Sequence, residues 1–157
     1  STGAWNTVAT LTRFLIEAGY PLGPLFMTDW GPTNTGWFRS GQAHKRTSLD
    51  RLARDFPHIT WLLFGDDGQH DPQLYADFAA ARPDRVDAVC LRQLTATEQA
   101  LAHPMGRLDT YTRPWASGSV PTFSAPDGYG LRRLLDEAGR IGDPVAAHEQ
   151  PSRPGRP

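Results

Sequence analysis

Ile59-Thr60-Trp61-Leu62-Leu63-Phe64 runs directly into Gly65-Asp66-Asp67-Gly68-Gln69-His70-Asp71-Pro72, and the change of character at Gly65 decides the fold. The first six residues are apolar almost throughout. A strand apolar on both faces is one buried between two helical layers, as in a parallel sheet. The stretch after it is turn chemistry and acid. It closes with Asp71 as a helix cap and Pro72 at the favoured first helical position.

Working outward, the same alternation repeats. Downstream, Leu74, Tyr75, Phe78 and Ala79 give a helix one buried face, and Val86 to Leu91 reads as another strand, carrying Cys90. A short helix at 95–102, an irregular loop over 103–119 and a strand over 120–124 follow. Asp127 then caps a last helix with Leu131, Leu134, Leu135 and Ala138 at helical spacing. Upstream, Leu49, Leu52, Ala53 and Phe56 mark a helix over about 43–55, ended by Pro57. Residues 31–42, rich in Gly, Thr and Ser, read as a loop, and Pro24 to Thr28 as a strand leading into Asp29. The first helix is capped by Asn6, carries Val8, Leu11, Leu15 and Ala18, and stops at Gly19 and Pro21. Helices alternating with strands argue an α/β fold with a parallel sheet. We expect one domain over 1–138. From Gly139 to Pro157 there are four Pro and three Gly with scarcely an apolar cluster, so 139–157 reads as a disordered tail.

Composition removes several classes of function. Lys and Arg number 16 against 17 Asp and Glu, for a net charge of −1. That excludes a nucleic-acid or membrane-surface module acting by charge alone. The single Cys excludes a disulfide scaffold and a multi-cysteine zinc site. No apolar run approaches the roughly 20 residues of a membrane-spanning helix. The chain opens Ser1-Thr2-Gly3-Ala4-Trp5-Asn6 without Met or an apolar leader, as if in the middle of a domain, where a missing leader carries no information about localisation; the expectation adopted is cytoplasmic.

In a parallel α/β sheet, ligands bind outside the carboxyl ends of the strands. That rule sets Ser1 to Asn6, Asp29 and Gly65 to Asp71 on one rim. Three carboxylates within six residues repel one another there, and a hard divalent ion such as Mg²⁺ would relieve the repulsion through oxygen ligands. A polar turn followed by a capped helix accounts for the same residues. Lys45, near the start of the second expected helix, is placed to meet a phosphate beside free backbone N–H groups, or is simply a solvated lysine. The hydroxyls and amides of Ser1, Thr2 and Gly3 could likewise meet phosphate oxygens or only lead into a helix. No Gly-x-Ser-x-Gly, Walker A or Gly-x-Gly-x-x-Gly sequence occurs.

Taken in order, a hydroxyl at Ser1, Lys45 and Gly65-Asp66 with Asp71 resemble three of the motifs of haloacid dehalogenase (HAD) phosphatases. Ser1-Thr2-Gly3-Ala4-Trp5-Asn6, Thr28-Asp29-Trp30-Gly31, His44-Lys45, Gly65 to Pro72 and Ala125-Pro126-Asp127-Gly128 more specifically resemble the catalytic domain of the actin-patch-type phosphatidate phosphatases. The resemblance implies a HAD-like three-layer parallel sheet and a Mg²⁺-dependent hydrolysis of phosphatidate or a related phosphomonoester. An aspartate of an Asp-x-Asp-x-(Thr/Val) motif would form an aspartyl-phosphate. Ser1, with Thr2 and Gly3, would hold phosphate; Lys45 would stabilise charge; Asp66 and Asp71 would serve the metal. No Asp-x-Asp occurs in these residues. The resemblance sets the nucleophile upstream of Ser1, on a central strand beside 59–64. The sheet would then be incomplete at its N-terminal strands, and the chain alone inactive and poorly soluble, with an unpaired apolar edge at 59–64. A phosphorylated small molecule or lipid is the expected partner, with no nucleic acid, no transmembrane segment and room for transient membrane-surface contact. The competing expectation is a non-catalytic HAD-like domain that binds a phosphorylated ligand or lipid.

Overall fold

Parallel strands form where the sequence is most continuously apolar. The computed structural model describes residues 5–21, 23–28, 37–68, 70–102 and 118–142, and these fall into two compact units divided between Ile59 and Thr60.

The second unit holds the sheet. Its strands are β1 (Trp61–Asp66), β2 (Val86–Arg92) and β3 (Thr122–Ala125), all parallel and in the order β1-β2-β3. Phe64, Cys90 and Phe123 lie in one row across the three strands, and Asp66, Arg92 and Ala125 in another at their carboxyl ends. Helix α3 (Asp71–Ala81) packs on β1 and β2, while α5 (Gly128–Glu137) packs on β2 and β3. Ala88, Cys90, Ala125, Leu131 and Leu135 form the buried cluster under α5. Val89 and Leu91 alternate to the other face and are as deeply buried. Burial on both faces is the three-layer arrangement of a partial HAD-like Rossmann sheet, and each buried Leu or Val contributes roughly 1.5–3 kcal/mol. Helix α5 does not reach over β1, so Phe64 remains 54% exposed. A fourth helix, α4 (Ala96–Ala102), follows β2.

Contacts continue past Gly139. The Arg140 guanidinium binds the Asp87 carboxylate, and Ile141 packs against the α5 cluster. Residues 143–157 of the expected tail lie outside the described residues.

The first unit departs from expectation at three points. Helix α1 (Val8–Glu17) follows a 3₁₀ turn over Trp5–Thr7, so Thr7 stands at its N-cap and Asn6 lies within the turn. Its end is as expected: Gly19 adopts φ +74°, with its N–H bound to the Ile16 carbonyl and that of Tyr20 to the Leu15 carbonyl. The segment 24–28 is not a strand. The Trp5 N–H donates to the Thr28 carbonyl at 3.1 Å, and a Pro at the head of the segment cannot donate to a ladder. Helix α2 (Trp37–Asp55) begins six residues before the expected start. The Gly and Ser between 37 and 42 suggested a loop, but one Gly within a helix costs only about 1 kcal/mol.

Candidate active site

The site lies at the carboxyl ends of β1 and β2, within the second unit. Gly65 is its first requirement. A Cβ there would sit 2.7 Å from Tyr75 Cε2, 2.8 Å from Asp71 Oδ2 and 3.0 Å from Asp71 Cβ. Only a bare backbone lets the first turn of α3 fold down onto the strand. The Asp71 carboxylate therefore lies against Gly65, 7% exposed, at the end of the strand whose last residue is Asp66.

This corrects the expectation for Asp71. It is not the cap of α3: His70 stands at the N-cap, Asp71 is the first helical residue, and Pro72 follows. A carboxylate in the first turn still gains from the helix dipole. Its side chain, however, is directed onto the strand.

Asp66 accepts the Gly68 N–H on Oδ1 at 2.9 Å, closing a tight turn at the strand end. Tyr75 donates its O–H to the Phe64 carbonyl at 2.9 Å. Burial first, then the Asp71 and Asp66 carboxylates, push the Tyr75 hydroxyl well above its ordinary value, so it stays protonated and keeps that bond.

Asp67 goes elsewhere. Its Oδ1 accepts the Leu94 N–H at 2.8 Å and the Gln99 side-chain amide at 3.0 Å, and its N–H donates to the Arg92 carbonyl at 3.0 Å. The expected trio of acids thus divides into a pair at the strand end and one bound to the β2–α4 junction. Among the described residues no three His, Cys, Asp or Glu side chains converge as a metal cluster.

Arg92 completes the rim, and sequence reasoning missed it. It stands opposite Asp66 across the sheet and binds Glu98 at 3.0 Å. Glu98 also accepts from the Thr95 N–H at 2.8 Å and hydroxyl at 2.9 Å, while its own N–H reaches Thr95 Oγ1 at 3.3 Å. This is a capping box at the start of α4, and the Thr95-x-x-Glu98 spacing announces it in the sequence. The Arg92 bond, then those from Thr95, hold the Glu98 carboxyl down at about 2.

The remaining expected residues lie in the first unit. Lys45 is not at a helix start but eight residues into α2. Backbone N–H groups at that depth are already used within the helix, so the reason for placing a phosphate there is removed. Ser1, Thr2 and Gly3 lie outside the described residues, as does Asp29. Cys90 is fully buried in the central strand, and burial, with Asp87 adding, pushes its thiol up to about 11, which removes it as a nucleophile. No helix among the described residues is long and apolar enough to cross a membrane.

Residues 1–93 match the family model described as phosphatidate phosphatase APP1, catalytic domain. The match takes in β1, α3 and β2, and ends before α4 and β3. Phosphatidate phosphatase APP1 of Saccharomyces cerevisiae is 27% identical over 84 residues, which are 53% of this chain and 14% of that protein. An uncharacterized protein of Schizosaccharomyces pombe is 26% identical over 95 residues, 60% of this chain and 16% of its own length. The chain thus spans about one seventh of the length of the curated relatives it matches. No solved structure matches it significantly.

Proposed function

The chain belongs to the phosphatidate phosphatase APP1 catalytic-domain family, and from that premise we propose that it forms part of a Mg²⁺-dependent phosphatase for phosphatidate or a related phosphomonoester. The observation that carries the reading is the buried Asp71 carboxylate laid over Gly65 beside Asp66. Here the cradle is kept open by a glycine at the carboxyl end of a parallel strand, where α/β sheets bind ligands.

The donor set fits the metal. Mg²⁺ takes one or two protein carboxylates and fills its octahedron with water and phosphate oxygens. Asp66 and Asp71 would supply those two oxygens. When bound, the ion would neutralise the charge on the phosphoryl oxygens. The Gly68 N–H holds Asp66 in its turn through Oδ1, and the other carboxylate oxygen would be the one offered to the ion. Arg92, fixed by Glu98, adds positive charge to the rim.

In this reading, as the family resemblance implies, the attacking carboxylate belongs to an Asp-x-Asp-x-(Thr/Val) segment outside these 157 residues. That carboxylate bonds to phosphorus as the ester oxygen leaves, and water then breaks the aspartyl-phosphate. The roles of Ser1, Thr2 and Gly3 as phosphate donors and of Lys45 as a charge partner rest on the family resemblance. So do a lipid substrate, transient contact with a membrane surface, and a cytoplasmic setting.

The test is phosphate release from phosphatidate vesicles and from a soluble phosphomonoester by the whole protein. Asp66→Asn and Asp71→Asn should each remove most Mg²⁺-dependent release from both. Near-normal release with unchanged Mg²⁺ dependence refutes the assignment.

A further inference from the structure

Two adjacent acids end β1, and the structure separates them. We propose that Asp67 is a positioning residue: through Leu94 and Gln99 it fixes the turn that presents Asp66, and it gives the metal no ligand. The proposal rests on the Asp66–Asp71 metal reading for its consequence and on the hydrogen bonds of residue 67 for its substance.

The bonds are specific. Asp67 is held through its backbone by the Arg92 carbonyl at 3.0 Å, and through Oδ1 by the Leu94 N–H at 2.8 Å and Gln99 Nε2 at 3.0 Å. Of the two groups that donate to Oδ1, Leu94 lies in the β2–α4 junction and Gln99 in α4. That junction is itself stiffened by the Thr95–Glu98 capping box and by Arg92 on Glu98. The residues flanking Asp67 are joined to each other, since the Gly68 N–H donates to Asp66 Oδ1. Gly68 is buried, so the turn has little freedom except to pivot about residue 67. Pinning that pivot pins Asp66. The chemistry required of residue 67 is an oxygen that accepts two N–H groups, and a negative charge is not needed for it.

That distinction supplies the test. An Asn at 67 keeps a carbonyl oxygen for both donors and loses the charge; an Ala loses both. The whole protein that carries this chain is titrated with Mg²⁺ by calorimetry, and amide exchange of Gly68 and Leu94 is followed by NMR. Asp67→Ala should weaken Mg²⁺ binding about 10- to 100-fold, the range for partners that orient ligands, and speed exchange at both amides. Asp67→Asn should stay within about threefold of the parent in both readouts. Gln99→Ala should shift both in the direction of Asp67→Ala, by less; it stands in if Asp67→Ala does not fold. Asp66→Asn should abolish Mg²⁺ binding and leave Leu94 exchange unchanged. If Asp67→Asn loses Mg²⁺ as Asp66→Asn does, Asp67 is a ligand and the proposal fails. It fails equally if Asp67→Ala and Gln99→Ala leave Gly68 exchange at the parent rate. A parent chain that binds no Mg²⁺ overturns the metal reading, and the pivot then stands or falls on Gly68 exchange alone.

Discussion

Asp71-Pro72 and Asp127-Gly128 offer the same signal in the sequence, an acid in front of a helix, and the molecule uses them in opposite ways. Asp127 has extended backbone and accepts the Gly130 N–H at 2.8 Å; it is exposed, and capping is all it does. Asp71 is the first residue of its helix, with His70 at the N-cap, and lies buried on Gly65. The start of α4 shows a third use, in which Glu98 serves both Thr95 and Arg92. The acid laid down onto the strand end is the one to suspect of chemistry.

The largest expected effect comes from removing charge at each position. Asp71→Asn should lower Mg²⁺ affinity about a hundredfold. Asp127→Asn should change neither affinity nor melting temperature, since Asn caps as well as Asp. Equal losses of affinity from both would erase the contrast.

Gly65→Ala tests the cradle rather than the acid. The added Cβ meets Tyr75 and Asp71 at 2.7–2.8 Å, so we expect overpacking of roughly 1–3 kcal/mol together with loss of Mg²⁺ binding. Urea midpoints and metal titrations read the two separately. An Ala accepted at no cost in either would mean that Asp71 need not lie where it does.

Asp127→Ala should cost about 1 kcal/mol, the usual value of an N-cap, and leave Mg²⁺ affinity untouched. Thermal melts with and without Mg²⁺ check both halves.

The smallest effect is in pH. Glu98 is held at about 2 against an ordinary 4.5, so its contribution is complete above 4.5 and is lost as pH falls from there through about 2. Its side chain is 40% exposed, so the change is modest. Over that window the parent should lose more melting temperature than Glu98→Gln. Parallel curves would remove Glu98 from the account.

These contrasts bear on what could be read from the residues alone. The three strands were legible because buried parallel strands are continuous apolar runs, and the start of α5 because Asp127 does what an acid before a helix usually does. Asp71 was ambiguous in principle: cap and ligand share one letter, and Gly65 breaks the tie only once the helix is seen to fold back onto it. The start of α2 was hidden because Gly41 and Ser40 weaken the helical pattern without ending the helix. Asp67 was illegible for a different reason. Its partners are 27 and 32 residues away, and no local pattern encodes a bond of that span. Arg92 and Glu98 could have been found, since Thr95-x-x-Glu98 is a helix-start pattern in plain view.

Cys90 has a use that concerns neither fold nor chemistry. It is the only thiol in the chain, it is completely covered in the middle strand of the three, and its high pKa leaves almost no thiolate at neutral pH. A disulfide reagent can therefore reach it only when the sheet parts. The rate of modification at increasing reagent concentration gives first the free energy and then the rate of that opening. The protein carries its own unfolding clock, and it can be read without altering a single residue.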